Sequence, residues 1–165
     1  MFLMIFIDLE KALSNFTDST SGDFWIGAND LVMSGNWSWT DKTSFDFTDW
    51  DKGQPQNVSD CGAVIMAHGK WITDDCIKQK AFICLVSSIS TTPAASTLPV
   101  TTTMKSTSCP PSWTYYSTTG FCYMSFPNGT WLYGEDRCRV ENAHLASVHS
   151  HEEALFLAGT VHTYL

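Results

Sequence analysis

Apolar residues in the first half of the chain fall in short runs broken by turn residues, which predicts strands rather than helices. Phe24, Trp25, Ile26 and Gly27 read as one buried strand. Gly35 and Asn36 form a turn, after which Trp37 and Trp39 alternate as on one face of a second strand. Asp51, Lys52 and Gly53 predict a further turn, followed by a polar loop to Asp60. Residues 62–67 and 81–85 are apolar runs of strand length, with a turn at His68 and Gly69 between them. From residue 109 the pattern changes. Residues 109–123 predict a small cysteine-bounded hairpin. Thr130 then N-caps a helix running through Glu141, and Asn142 suits the left-handed conformation that ends it. Ser150, His151, Glu152 and Glu153 form a capping box that opens a second helix through Ala158. One half is mainly β and the other mainly α, so the fold class is α+β.

Between the halves lies a segment of different character. Of the 22 residues from Ser87 to Ser108, 15 are Ser, Thr or Pro, none is aromatic and only Lys105 is charged. Such a stretch buries too little apolar surface to offset its ordering entropy, which predicts an extended spacer. Ser/Thr-rich sequence with Pro also suits O-glycosylation. The chain thus divides into residues 1–86, a linker at 87–108, and residues 109–165. A length of 165 residues fits one domain or two small ones.

Composition narrows the setting. The net charge of -8 and the lack of any Lys/Arg cluster argue against nucleic acid or an anionic membrane as partner. The six cysteines contain no Cys-x-x-Cys pair, so a zinc ribbon or thioredoxin-like site is unsupported, and a disulfide framework in an oxidising compartment is the remaining use. Asn-x-Ser/Thr sequons at Asn15, Asn36, Asn57 and Asn128 agree with an extracellular, secreted glycoprotein. The apolar run at residues 1–7 is too short to span a bilayer and meets Asp8 and Glu10 at once, so no transmembrane segment is expected there. Residues 1–13 read either as an amphipathic helix on a core or as the interior of a longer chain, and we favour the longer chain. Nothing in the sequence points to an oligomeric state.

A set of residues then resembles the C-type-lectin-like domain family. Cys109-Pro110, Trp113, Cys122-Tyr123, Trp131, Glu135, Cys138 and His144-Leu145-Ala146-Ser147-Val148 are similar to the first half of that domain. Phe24-Trp25-Ile26-Gly27, Trp37-Ser38-Trp39-Thr40-Asp41, Trp50, Gly53-Gln54-Pro55, Cys61, Trp71, Cys76 and Phe82-Ile83-Cys84 resemble its second half. The order is reversed, since the second half comes first. The resemblance implies a C-type-lectin-like α+β fold divided into two complementary partial domains. It implies the disulfides Cys61–Cys76 and Cys109–Cys122. In a tandem array, Cys84 and Cys138 each bond to partners outside this chain. In a circularly permuted domain they bond to each other, and a spacer reaching ~70 Å when extended permits it.

In sugar-binding members of the family, calcium in the long loop coordinates sugar hydroxyls. Carried over position by position, its ligands here are Gln54, Gln56, Ser59, Ile72 and Thr73, a set without a carboxylate. Calcium takes six to eight oxygens and its affinity follows ligand charge, so the resemblance implies no cofactor at the usual site. An alternative reading places a displaced calcium among Asp60, Asp74 and Asp75, with Gln54 and Asn57; we read those acids as solvated loop residues. Gln54-Pro55 is suited to a cis turn. Trp50, Gln54, Pro55, Gln56 and Asn57 are then the candidate ligand-binding residues, for a glycan or protein. His149, His151, Glu152 and Glu153 suggest zinc, but the capping box explains them and the i, i+4 histidine spacing is missing. No nucleophile–base set is present, so the expectation is a non-enzymatic recognition module. The alternative is a structural or protein-binding unit of a glycosylated tandem protein without a sugar ligand.

Overall fold

The computed structural model describes residues 22–91 and 106–162. The apolar stretch at 1–13, the Asn15 sequon and the middle of the Ser/Thr-rich segment lie outside them. Strands β1 (Asp23–Asn29), β2 (Ser38–Trp39), β3 (Cys61–Ile65), β4 (Trp71–Asp74) and β5 (Lys80–Ser87) come from the first half. Strands β8 (Thr114–Tyr116), β9 (Phe121–Gly129) and β10 (His144–Leu145), with helices α1 (Trp131–Val140) and α2 (His151–His162), come from the second. One sheet joins both halves in the order β4-β3-β1-β5-β9-β8, with β2 added to β1 and β10 to β5. This is the expected α+β class.

The continuous apolar runs of β1 and β5 have a direct cause. These strands pair in parallel at the centre of the sheet, and both faces are covered. Phe24, Ile26 and Ala28 point into one core with Ile83, Trp71 and the Ala154–Leu157–Val161 face of α2. Trp25, Phe82 and Cys84 point the other way, into a core with Trp131, Cys138 and Leu145. Gly27 is required where the two halves cross. A Cβ there would lie 2.6 Å from the Leu145 carbonyl oxygen, and the Gly27 amide donates to the Ala146 carbonyl at 2.9 Å. Trp131 closes the same junction by donating its indole N–H to the Ile26 carbonyl at 2.8 Å.

The helix boundaries follow their signals. Thr130 Oγ1 accepts the Tyr133 amide at 3.2 Å, and Asn142 adopts φ +55 after α1. Trp131, Gly134, Glu135 and Cys138 form the buried stripe of α1, at the i, i+3, i+4, i+7 spacing of a packing face. At α2, Ser150 Oγ accepts the Glu153 amide at 3.1 Å, as a capping box requires. The return arm differs: Glu153 accepts the His149 amide at 2.8 Å and the Tyr123 hydroxyl at 2.6 Å. Helix α2 also runs one turn beyond the expected Ala158, because Val161 extends its core-facing stripe.

The spacer needs a correction. Its two ends form a ladder, β6 (Ile89–Thr91) against β7 (Ser106–Ser108). Antiparallel pairing of β5 with β9 puts Val86 opposite Cys122, and the Cys109–Cys122 disulfide brings the other end of the spacer to the same place, where the two backbones pair. A Cys84–Cys138 disulfide ties β5 to α1, alongside Cys61–Cys76 and Cys109–Cys122. Of the two outcomes open for Cys84 and Cys138, this chain shows the pair closed on itself.

Candidate functional site

The long loop between β2 and β3 is polar along its length, yet aromatic side chains anchor it. Phe45, Phe47 and Trp50 gather around buried Trp71, with ring centroids 6.2, 5.6 and 5.5 Å away. Trp37 packs edge-on against Trp50 at 4.7 Å. The backbone follows. Trp71 donates to the Asp49 carbonyl and Asp51 donates to the Trp71 carbonyl, at 2.9 and 2.8 Å. The turn at Asp51 closes with the Gln54 amide on the Asp51 carbonyl at 3.0 Å, and Gly53 takes φ +83. Gln54-Pro55 is cis.

Gln54 then turns inward. Its side-chain oxygen accepts both the Thr73 amide, at 3.1 Å, and the Thr73 hydroxyl, at 3.0 Å. The same hydroxyl oxygen accepts the Gln56 amide at 3.1 Å. Two positions that the family resemblance assigns to calcium thus bind each other, and a protein clasp ties the loop to β4. Ile72, a third such position, packs against the Trp25 core. The donor set does not fit calcium: it lacks a carboxylate, its best oxygen acceptor is already used, and one member is apolar.

The other candidate residues are placed as follows. Pro55, Gln56 and Asn57 form an exposed tip, while Trp50 and Gln54 lie half-buried behind it. Asp60, Asp74 and Asp75 do not converge. Asp60 contributes its carbonyl to the Asp30 amide, and the Asp75 carboxylate caps the Ile77 amide. Asp74 pairs with Lys78 and with Lys80, both at 2.8 Å. Burial opposes the Asp74 charge, but hydrogen bonds from Lys78 and Lys80 hold its carboxyl below the ordinary aspartate range. Among the described residues, no group of three His, Cys, Asp or Glu side chains could hold a metal. His149 and His151 also separate. His151 Nδ1 lies 2.6 Å from Asp49, whereas His149 faces Asp46 at 3.7 Å.

Several structural contacts were outside the sequence reading. Asp49 accepts from both Lys70, at 2.5 Å, and His151, so it links the loop to α2 across the two halves. Desolvation works against its charge, and the bonds from Lys70 and His151 overcome it, leaving the carboxyl below its usual range. Buried Glu135 gathers Arg139, His144 and the Leu145 amide at 2.7 to 2.9 Å. Asp49 and His151 lie far apart in sequence and only the fold joins them, whereas the partners of Glu135 are local, drawn from its own helix and the turn into β10. The exposed sequons at Asn36, Asn57 and Asn128 are all on the surface, and Asn57 sits on the loop tip itself.

Residues 8–86 match the lectin C-type domain family. The human C-type mannose receptor 2 is 30% identical over 141 residues, covering 83% of this chain and 9% of the receptor. Lectin BRA-3 of Megabalanus rosa is 39% identical over 46% of this chain and 49% of its own length. An alpha-N-acetylgalactosamine-specific lectin of Patiria pectinifera is 35% identical over 42% of this chain and 44% of its own. The chain therefore spans half or less of these relatives. Three disulfides are present, no described cysteine is free, and no helix among the described residues is long and apolar enough to cross a membrane.

Proposed function

We propose that this chain, whose fold is that of a C-type-lectin-like domain, is an extracellular, secreted recognition module that binds its ligand without calcium in the long loop. The observation that carries the reading is the Gln54–Thr73 clasp, which consumes the oxygen a cation would need and fixes the loop by itself. The ligand surface is the exposed tip of Pro55, Gln56 and Asn57, backed by Trp50. A polar tip beside an aromatic suits a glycan hydroxyl set or a protein rim. Names of two relatives refer to mannose and N-acetylgalactosamine, which favours a carbohydrate. The module acts by binding rather than catalysis, a reading supported by its match to the lectin C-type domain family.

A second reading concerns the whole protein. The alignment with the mannose receptor covers 83% of the chain, more than residues 1–108 alone, so it runs through both halves in their present order. This favours a tandem protein in which residues 1–86 end one domain and residues 109–165 begin the next. The two halves in isolation then close as one permuted domain. In that protein the unit serves a structural or protein-binding role if no sugar is bound.

Glycan-array binding in calcium and in EDTA tests both. The expected result is equal binding to defined sugars in either buffer. EDTA-sensitive binding overturns the loop reading, and no binding in either buffer favours the structural role.

A further inference from the structure

A cavity lies away from the Gln54 clasp, where the start of the long loop after β2 meets the connection between α1 and β10. It measures about 450 Å³ and is lined by Lys42, Arg139, Asn142 and His144. An adjoining cavity of about 500 Å³ shares Asn142 and His144 and continues onto Leu85, Val86 and Phe121. Two residues of positive φ line this groove: Asn142 at +55, which ends α1, and Lys42 at +65 in the turn after β2.

The groove wall carries charges of both signs. Its one carboxylate, Asp41, accepts from the Thr43 amide and hydroxyl at 2.9 and 2.6 Å and from Ser147 Oγ at 2.6 Å, which directs it onto protein donors. Glu135, buried behind the wall, holds Arg139 Nε at 2.8 Å and His144 Nδ1 at 2.7 Å, which fixes both side chains at the groove. Lys42, like Lys52, has no acidic partner among the described residues, whereas Lys70, Lys78, Lys80, Arg137 and Arg139 each have one. A protein with only nine Lys and Arg thus places two of them, with a histidine, around one cavity.

We infer that this groove binds the anionic group of an acidic sugar, a carboxylate or a sulfate ester, with the sugar ring lying toward Phe121. The overall charge of -8 repels polyanions, so a single acidic group on an otherwise neutral polyol fits better than a nucleic acid. Charge-assisted hydrogen bonds from Lys42 and Arg139 supply the affinity, and the Asn142 amide supplies orientation.

The test titrates the full chain with a sulfated N-acetylhexosamine, a hexuronic acid and the neutral N-acetylhexosamine. NMR shifts of the His144 ring and the Asn142 amide provide the readout. At least one acidic sugar is expected to move both signals, and which one does so identifies the acidic group; the neutral sugar should not. Lys42→Gly keeps the left-handed backbone without a Cβ penalty, and Lys42→Asn is a second tolerated replacement. Each should weaken acidic-sugar binding about tenfold or more. Lys52→Gln, which removes an exposed lysine away from the groove, should leave it unchanged, which separates this groove from general charge attraction. Equal response to the neutral sugar, no response to any titrant, unaltered binding by both Lys42 variants, or loss on Lys52→Gln would overturn the inference.

Discussion

Replacing Lys80 with Met removes a buried cation while keeping a long apolar stem. The Lys80 side chain is 3% exposed, and its Nζ sits 2.6 Å from Asp23 and 2.8 Å from Asp74, whose side chains are 11% and 18% exposed. It also stands 5.0 Å over the Trp25 ring. Methionine leaves two largely buried carboxylates without their shared counter-charge, an effect of about 3–5 kcal/mol for a broken buried pair. The lower end of that range is expected, because Asp74 keeps exposed Lys78 at 2.8 Å. Urea denaturation at neutral pH with the disulfides intact measures the loss. The pH dependence follows from the depressed Asp74 carboxyl. A carboxyl of lowered native pKa adds stability above its unfolded-chain value of about 3.9, and that stability is lost as pH falls through the native value. The Lys80→Met deficit should therefore be largest at neutral pH and shrink on acidification, as the Asp74 carboxyl protonates. Adding Asp23→Asn should recover about 1–2 kcal/mol at neutral pH. A deficit below about 1 kcal/mol, or one that stays constant into acid, would refute the assignment of Lys80 as the charge that organises this corner.

Three further outcomes follow from the same contacts. Gly27→Ala forces a Cβ to within 2.6 Å of a backbone oxygen and should cost about 3 kcal/mol, read as a lower urea midpoint with unchanged slope. Disulfide mapping by mass spectrometry should recover a peptide joining Cys84 to Cys138, and Cys138→Ala should lower stability by about 2–5 kcal/mol. Glu153→Gln removes the charge that, after burial, keeps the Tyr123 phenol protonated far above its ordinary range. Tyr123 in that variant should ionise at a lower pH in an ultraviolet titration than in the native chain.

Much of the fold was legible because local chemistry and burial agree. Phe24-Trp25-Ile26 reads as a strand since both its faces are covered, and Thr130, Gly53, Gly69 and Asn142 mark ends and turns by their backbone preferences. Strand β10 and the β6–β7 ladder were not legible. Two or three residues carry no periodicity, and their pairing is imposed by β5 and β9. Strand β4 was hidden for a related reason: its alternation of Trp71 and Thr73 against Ile72 and Asp74 is short and has a polar buried member. At the candidate site, residue identities gave the missing carboxylates but not the clasp. Gln54 and Thr73 each read as a poor ligand, and their fit to each other appears only when the loop folds onto β4. The Asp49–His151 and Asp41–Ser147 contacts bridge more than a hundred residues, beyond any local pattern.

The central claim is that protein hydrogen bonds, not a cation, hold the long loop on β4. Amide hydrogen exchange of Thr73 and Gln56 reports those bonds directly. Equal protection is predicted in calcium and in EDTA, with both amides exchanging faster in Gln54→Ala under either condition. Protection that appears only with calcium, or that survives Gln54→Ala unchanged, would contradict it.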